Sequence, residues 1–297
     1  MTSRQARQSG RFAPSPTGTL HVGNLRTALL AWLFARSQEA RYLVRMEDLD
    51  HGRVQAGAAE RQLRDLRAIG LDWDGEVVAQ SSRGELYASA LAQLRERRLL
   101  YECYCTRAEI REAASAAHGP LPEGAYPGTC LRLSAAELAE KRAAGRPPAL
   151  RVRAEGAAVA FDDRLLGRVA GVVDDFVVRR GDGAFAYNLA VVVDDADQGV
   201  EEVVRGSDLA DSTPRQLWLA RALGLPEPSH AHVPLVLGPD GARLAKRHGD
   251  VTLREVAPAA ALAWIGASLG FAGAAPSDWL AEFDPARLPR ADTIYGD

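Results

Sequence analysis

The chain has 297 residues, of which 47% are hydrophobic and 25% are charged, and its formal net charge is −3. This is the balance of a globular protein, and the length suits one large domain or two ordinary ones. We find neither a signal peptide nor an apolar run long enough to cross a bilayer, so we expect a cytoplasmic protein without a membrane partner. A wide nucleic-acid-binding face would make the chain basic, so any RNA contact should use a local patch.

Strands and helices are predicted to alternate in the first hundred residues. The predicted elements are a strand over 10–16, a helix from 21, a strand over 41–47 and helices over 59–70 and 85–100. The helix that begins near His21 is indicated by Leu25, Leu29 and Leu33, which recur at helical spacing. Gly70 is a plausible stop for the second helix. The alternation predicts an α/β fold with a Rossmann-type, doubly wound parallel sheet.

The alternation breaks near Tyr101. Beyond it we predict a polar helix over 134–145, strands over 172–180 and 185–195, a helix over 212–224 and a helical tail over 252–271. Pro258 should kink or split that tail, and the proline-rich last residues should be loosely held.

We therefore divide the chain into four parts. They are the first half of a nucleotide-binding fold (1–100), an insertion (101–184), the second half of the fold (185–250) and a short helical C-terminal region (251–297).

A glycine-containing loop with a histidine separates the first strand from the first helix. A helix N-terminus attracts phosphate, and Gly18 and Gly23 would let the backbone approach a nucleotide closely. His21 could donate a hydrogen bond to a phosphate oxygen as charge develops there. Taken alone, such a histidine is more often a helix cap or a surface residue.

Two stretches together resemble the signatures of class I aminoacyl-tRNA synthetases. HVGN, residues 21–24, is similar to the motif HIGH with Asn24 in place of the second histidine, and RFAPSPTG resembles the glutamyl and glutaminyl branch. GARLAKRHG, residues 241–249, resembles the KMSKS loop and puts Lys246 on its most important lysine. The resemblance implies that His21 and Lys246 are catalytic and that Mg²⁺ accompanies ATP. The ATP-binding residues that it implies are Gly18, His21, Gly23, Asn24 and Lys246.

The same resemblance implies a pocket for glutamate. Its residues would be Arg11, Ala13, Ser15, Glu47, Tyr187 and Arg205. Glu47 would take the ammonium and Tyr187 would donate its hydroxyl. Because a guanidinium pairs bidentately with a carboxylate, Arg11 and Arg205 would select glutamate over glutamine. Singly, each residue could instead be a solvated surface group or a weak surface ion pair.

Three cysteines lie in one window, and an odd number is a poor disulfide framework. Structural zinc requires four ligands, so His118 and Tyr126 are the local candidates for a fourth position. The window resembles the zinc-bearing insertion of bacterial glutamyl-type synthetases, whose glutamyl-queuosine variant has a tyrosine four residues before the last cysteine. That resemblance implies one structural zinc, with His118 as the alternative to Tyr126. The implied ligands are Cys103, Cys105, Tyr126 and Cys130.

The resemblance runs from Gly10 to about Gly270 and stops where a glutamyl-tRNA synthetase would continue into an anticodon-binding domain. This is typical of the glutamyl-Q tRNA(Asp) synthetase family. It implies a monomeric enzyme that activates L-glutamate with ATP and transfers it to the queuosine of tRNA(Asp). The alternatives are the catalytic fragment of a glutamyl-tRNA synthetase that charges a tRNA 3′ end, and a non-catalytic paralogue that binds tRNA or amino acid.

Overall fold

A computed structural model describes residues 8–110, 125–249 and 251–296, with Lys246 described by its backbone only. Within these ranges seven strands form a central sheet. They are β1 (Ser9–Phe12), β2 (Arg41–Met46), β3 (Val78–Ala79), β6 (Ala157–Asp163), β7 (Gly167–Val173), β9 (Val200–Gly206) and β10 (Ser229–Val233). Their order across the sheet is β3-β2-β1-β9-β10-β6-β7, and every neighbouring pair except β6 and β7 is parallel. The predicted α/β fold with a parallel sheet is confirmed.

The helix α1 (Val22–Ser37) begins directly after His21, as predicted. It connects β1 to β2 and packs on β1 and β9, with Leu25, Leu29 and Leu33 fully buried. The other helices in the described ranges are α2 (Ala58–Ala68), α3 (Gly84–Glu96), α4 (Ala135–Ala143), α5 (Tyr187–Asp197), α6 (Thr213–Leu223), α7 (Pro258–Leu269) and α8 (Pro276–Leu280). Gly70 follows α2 with a φ of 82°, the left-handed conformation that suits a glycine after a helix.

The strand predicted over 185–195 is wrong, because these residues begin the helix α5. Seven consecutive residues of α5, from Leu189 to Asp195, are buried. A helix that is buried on nearly every side shows no 3.6-residue alternation in its sequence, so three successive valines read as a buried strand. The helix lies between β8 (Val177–Arg179) and β9 and packs against α3 and α6.

A second, antiparallel sheet is formed by β4 (Leu100–Cys103), β5 (Ala149–Val152) and β8 in that order. It carries the cysteine window at the end of β4. The strands β6 and β7, which also fall within 101–184, instead join the edge of the central sheet beside β10. The division of the chain at residues 100, 184 and 250 remains a prediction.

The C-terminal region differs from two expectations. Pro258 neither kinks nor splits a helix; it is the first residue of α7, where its missing N–H costs no hydrogen bond, and residues 252–257 are not helical. The last residues are held rather than loose. The strand β12 (Thr293–Ile294) pairs with β11 (Val236–Leu237), and the ring of Tyr295 lies 4.9 Å from that of Trp264. None of the helices in the described ranges combines the length and apolar character of a membrane span.

Gly266 lets α7 contact Trp279 of α8 directly. A Cβ at Gly266 would lie 2.7 Å from Cζ2 of Trp279, a side chain that is 1% exposed. We therefore expect Gly266→Val to lower the free energy of unfolding by about 1–3 kcal/mol, the usual cost of overpacking. Urea denaturation followed by circular dichroism measures this change.

The matched control is Ala267→Val, which places the same β-branched side chain on the exposed face of the same helix. It should cost well under half as much. Because valine has a higher helix propensity than glycine, propensity alone would not destabilise Gly266→Val. An unfolding free energy equal to or above that of the wild type in this variant would show that contact with Trp279 does not limit the size of residue 266.

Candidate active site

A cavity of about 800 Å³ opens at the carboxyl ends of the parallel strands, where β1 and β9 lie side by side. The chain continues from β1 to β2 on one side and from β9 to β10 on the other, so the connecting loops diverge at this point. Such a switch point is where doubly wound sheets bind ligands. The predicted residues that line the cavity are Arg11, Ala13, Ser15, Gly18, His21, Gly23, Asn24, Glu47, Tyr187 and Arg205.

His21 caps the N-terminus of α1. Its Nδ1 accepts a hydrogen bond of 3.2 Å from the backbone N–H of Asn24, and Oδ1 of Asn24 accepts one of 3.2 Å from the backbone N–H of His21. Asn24 therefore has a clear structural task where the family motif has a histidine. Burial, followed by the charge of Arg243 and by His248, lowers the pKa of His21 to about 4. The ring is neutral near pH 7, and because Nδ1 accepts, Nε2 carries the proton and is a donor.

The lysine loop lies on the same side of the molecule as His21. Arg243, Leu244 and Ala245, which directly precede Lys246, line the cavity. A 3₁₀ turn spans Lys246–His248, and Nδ1 of His248 accepts a 3.0 Å hydrogen bond from the backbone N–H of Ala245. The side chain of Lys246 lies outside what the structure describes.

A backbone hydrogen bond connects the segment after the lysine loop to the first helix, and an ion pair connects the loop itself to the residues that follow β9. The backbone N–H of Val22 donates to the carbonyl of Val251 at 2.8 Å. Across the cavity, Arg243 forms an ion pair of 2.5 Å with Asp208, which follows β9. The two sequence signatures, more than 200 residues apart in the chain, therefore meet at one cavity.

Arg11 is held by an acidic residue that sequence analysis missed. Its Nε and Nη2 each donate at 3.2 Å to Asp195, and Nη1 of Arg45 donates to the same carboxylate at 2.8 Å. All three side chains are buried. The adjacent acids Asp194 and Asp195 at the end of an apolar run were the available signal, because buried carboxylates require cationic partners.

Glu47 faces the cavity at the end of β2. Burial raises the pKa of Glu47, although Arg45, whose Nη2 lies 3.4 Å from Oε1, favours the ionised form. A ligand cation at this carboxylate would oppose that effect of burial and keep Glu47 ionised. The backbone N–H of Glu47 donates to the carbonyl of Pro14 at 2.9 Å, which fixes this strand end against the loop that contains Ser15.

Arg205 is buried at the end of β9, with 5% of its surface exposed, and it lines the cavity. Its guanidinium donates to Tyr187 Oη at 3.3 Å, to His232 Nε2 at 3.1 Å and to Thr213 Oγ1 at 2.8 Å. In the described part of the chain no carboxylate forms an ion pair with it. Burial lowers the pKa of Arg205, as expected for a cation without an anionic partner.

The predicted metal ligands lie close together beside the end of β4. The Sγ atoms of Cys103, Cys105 and Cys130 all lie within 4.8 Å of one another. Tyr126 Oη lies 3.5 Å from Sγ of Cys103 and 3.6 Å from Sγ of Cys105. A tetrahedron with metal–sulfur bonds of about 2.3 Å has edges of about 3.8 Å, so the four atoms fit one metal ion. The alternative ligand, His118, lies outside the described residues.

The description "tRNA synthetases class I (E and Q), catalytic domain" belongs to the family model that matches residues 9–259. A glutamyl-Q tRNA(Asp) synthetase of Nocardia farcinica is 62% identical over 97% of this chain and 93% of its own length, and one of Symbiobacterium thermophilum is 48% identical over 95% and 94%. The chain therefore belongs to the class I synthetases of the E and Q type and, among these, to the glutamyl-Q tRNA(Asp) synthetase family.

A solved structure of a glutamate tRNA ligase from Elizabethkingia meningosepticum, in complex with its amino acid, has the same fold. Its TM-score is 0.82 at 25% identity, over 98% of this chain and 67% of the other.

Nδ1 of His21 caps the helix, whereas Nε2 has no hydrogen-bond partner among the residues that the structure describes. In His21→Asn the amide oxygen can replace Nδ1 as the helix cap, but nothing replaces Nε2–H. We expect this variant to keep its unfolding free energy within about 0.5 kcal/mol. Its ATP–pyrophosphate exchange should fall about 10²–10³-fold, the usual effect of losing one donor to developing charge.

His21→Ala provides the comparison, because it removes both nitrogens. It should lose about 1 kcal/mol of stability in addition to the activity. Wild-type exchange rates in the asparagine variant would rule out a catalytic Nε2.

Proposed function

We propose that this protein activates L-glutamate with ATP to form glutamyl-adenylate and transfers the glutamyl group to the queuosine of tRNA(Asp). The proposed glutamate specificity rests on Arg205. Its guanidinium is buried, lines the cavity and has no carboxylate partner among the described residues. A buried cation is stabilised strongly by an anion, and a neutral side chain such as that of glutamine cannot replace that interaction. The names of the relatives support the acceptor.

Each part of the amino acid has a counterpart in the cavity. Glu47 receives the ammonium group. Arg205 and the hydroxyl of Tyr187 face the side-chain carboxylate, and Arg11, fixed by Asp195, adds positive charge beside it. This arrangement leaves the α-carboxylate directed towards the helix N-terminus at His21, where the phosphates of ATP would lie.

Activation requires stabilisation of charge rather than acid–base chemistry. An oxygen of the glutamate α-carboxylate bonds to the α-phosphorus of ATP, the bond from that phosphorus to the β-phosphate oxygen breaks, and pyrophosphate leaves. His21 Nε2–H and the ammonium of Lys246 stabilise the negative charge that develops on the phosphate oxygens. Mg²⁺, bound with the triphosphate, adds charge neutralisation of the same kind.

In the transfer step, a hydroxyl of the cyclopentenediol of queuosine attacks the adenylate carbonyl and AMP leaves. Positioning of the two reactants can supply much of the acceleration for an ester transfer without a side-chain base. The structural similarity to a glutamate tRNA ligase is also compatible with one alternative function, that of a glutamyl-tRNA synthetase fragment that charges a tRNA 3′ end. Both enzymes would activate glutamate, so only the acceptor distinguishes them.

Glutamate-dependent ATP–pyrophosphate exchange without tRNA tests the first step. We expect exchange with glutamate and none above background with glutamine. Arg205→Ala should lower the exchange rate by about two to three decades, because it removes the charge partner of a buried carboxylate. Exchange within a few-fold of wild type in this variant would reject the assignment of Arg205.

Acceptor assays with radiolabelled glutamate test the second step. tRNA(Asp) that contains queuosine should be labelled, whereas tRNA(Asp) without queuosine and tRNA(Glu) should not. Labelling of tRNA(Glu) would instead favour the synthetase fragment. A protein that binds tRNA but supports no exchange would be the non-catalytic paralogue.

We also propose that Cys103, Cys105, Cys130 and Tyr126 bind one structural zinc ion. In the absence of a cation, burial raises the pKa of the Cys105 thiol to about 12, so a nearby metal is needed to hold the thiolate form at neutral pH. The backbone N–H of Cys130 donates to Tyr126 Oη at 2.8 Å and fixes that oxygen beside the sulfurs. The metal would connect β4 to the segment that contains Tyr126 and rigidify the second sheet.

Protein purified without added zinc should contain about one zinc ion per chain, measured by atomic emission. Cys105→Ser should lose the metal, and Tyr126→Phe should bind it more weakly in competition with a chelator. Tyr104→Phe is the control, because Tyr104 lies in the same window but its hydroxyl contacts Glu102 at 2.8 Å. Identical chelator sensitivity in the two tyrosine variants would remove Tyr126 from the ligand set.

A further inference from the structure

Behind Arg205 lies a buried row of polar groups that no catalytic step uses. Nδ1 of His232 lies 2.6 Å from Oδ2 of Asp163, and Nε2 of the same ring lies 3.1 Å from Nε of Arg205. The side chains of His232 and Asp163 are completely buried. Strand β10 supplies the histidine and the end of β6 supplies the aspartate, so the row runs through the central sheet to the wall of the cavity.

The direction of each hydrogen bond in this row is fixed by chemistry. Arginine can only donate, so Nε2 of His232 must accept, and Nδ1–H must then donate to Asp163. Burial by itself would raise the pKa of Asp163, but hydrogen bonds from His232 and from the backbone N–H groups of Leu166 and Leu165 lower it to about 2. Burial lowers the pKa of His232, which keeps the ring neutral and its Nε2 an acceptor.

As a result of these contacts, Arg205 and Tyr187 present only hydrogen-bond donors to the cavity. Of the five N–H groups of Arg205, four are used by His232, Tyr187, Leu209 and Thr213. The remaining one is on Nη1, the nitrogen nearest to Tyr187. Tyr187 Oη accepts from Nη1 of Arg205, so the hydroxyl hydrogen of Tyr187 must point away from Arg205. Because Tyr187 lines the cavity, this hydrogen can be donated to a ligand there.

We propose that His232, held in one tautomer by Asp163, is a positioning residue that orients Arg205 and Tyr187 as donors and thereby selects a carboxylate over a carboxamide. Glutamate offers acceptors to both donors. Glutamine could offer one acceptor, but its NH₂ group would face a donor. This inference rests on the proposed function, because it concerns the same glutamate pocket.

Three substitutions separate positioning from simple structural support. In His232→Asn the amide can still donate to Asp163, but the acceptor for Nε of Arg205 is lost. In His232→Gln the longer amide can place its oxygen where Nε2 was, so it should restore part of the effect. His230→Asn is the control, since His230 is equally buried two residues away on β10 and its ring stacks on His232, but it has no hydrogen bond to Arg205 within the described ranges.

Asp163→Asn provides a second route if His232→Asn does not fold. Oδ1 of Asp163 accepts from the backbone N–H groups of Leu165 and Leu166, and the backbone N–H of His232 lies 3.2 Å from Oδ1 and 3.1 Å from Oδ2. With Oδ1 as the acceptor for all three, the amide nitrogen of the variant must take the place of Oδ2. There it donates to Nδ1 of His232, so the ring proton moves to Nε2. Nε2–H and Nε–H of Arg205 would then be two donors that face each other. The variant is isosteric and changes the tautomer without removing the histidine.

The measurement is tRNA-independent ATP–pyrophosphate exchange with glutamate and with glutamine, with thermal melting and the KM for ATP as folding controls. We expect His232→Asn and Asp163→Asn to raise the KM for glutamate about 10–100-fold, the usual range for a hydrogen bond to a charged group, with kcat and the KM for ATP changed less than about threefold. The preference for glutamate over glutamine should fall in parallel. His232→Gln should lie nearer to wild type, and His230→Asn should match it.

A wild-type KM for glutamate in both variants, or equal effects of His232→Asn and His230→Asn, would overturn the inference. So would a drop in kcat with an unchanged KM. If the wild-type protein itself shows no glutamate-dependent exchange, the proposed function fails and this inference fails with it. If the wild type shows glutamate-dependent exchange but His232→Asn and Asp163→Asn have the wild-type KM for glutamate, only the positioning role of His232 is rejected.

Discussion

The site depends on a buried positive charge that the described chain does not neutralise. Arg205 is surrounded by neutral acceptors, namely His232, Thr213, Tyr187 and a backbone carbonyl, which compensate for lost hydration but not for charge. Arg11, which lines the same cavity, is paired with Asp195. The two arginines therefore differ: the protein itself neutralises Arg11, whereas the proposed role of Arg205 is to pair with an anionic ligand.

The order of strands places Arg205 and His21 at the same edge of the central sheet. Because β1 lies between β2 and β9, the residues that follow β1, β2 and β9 all emerge at one edge of the sheet. His21 begins α1 beside that edge, and the bond between Val22 and Val251 brings the segment after the lysine loop to the same helix end. One sheet topology therefore brings together the residues proposed to bind phosphate and those proposed to bind the amino acid.

Much of the site could be predicted because its parts lie in short, local patterns. The loop around His21, the residues Glu47 and Arg205, and the cysteine window are each recognisable within a few residues, and all the predicted glutamate-pocket residues line one cavity. The partners of those residues were not predictable in this way. Asp195 is 184 residues from Arg11 in sequence and Asp163 is 69 from His232, and a single sequence carries no record of such distant pairs.

Elements whose apolar pattern is one-sided, or whose ends carry specific signals, could be predicted without the structure. Examples are α1 with its cap at His21 and α2 with Gly70 after it. The tertiary structure alone decided whether residues 187–197 became a helix, since complete burial removes the alternation that distinguishes a helix from a strand. It also decided the donor direction of the Arg205 pocket and the attachment of the last strand to β11. Those features arise from contacts between segments far apart in the chain, and only folding brings such segments within hydrogen-bonding distance.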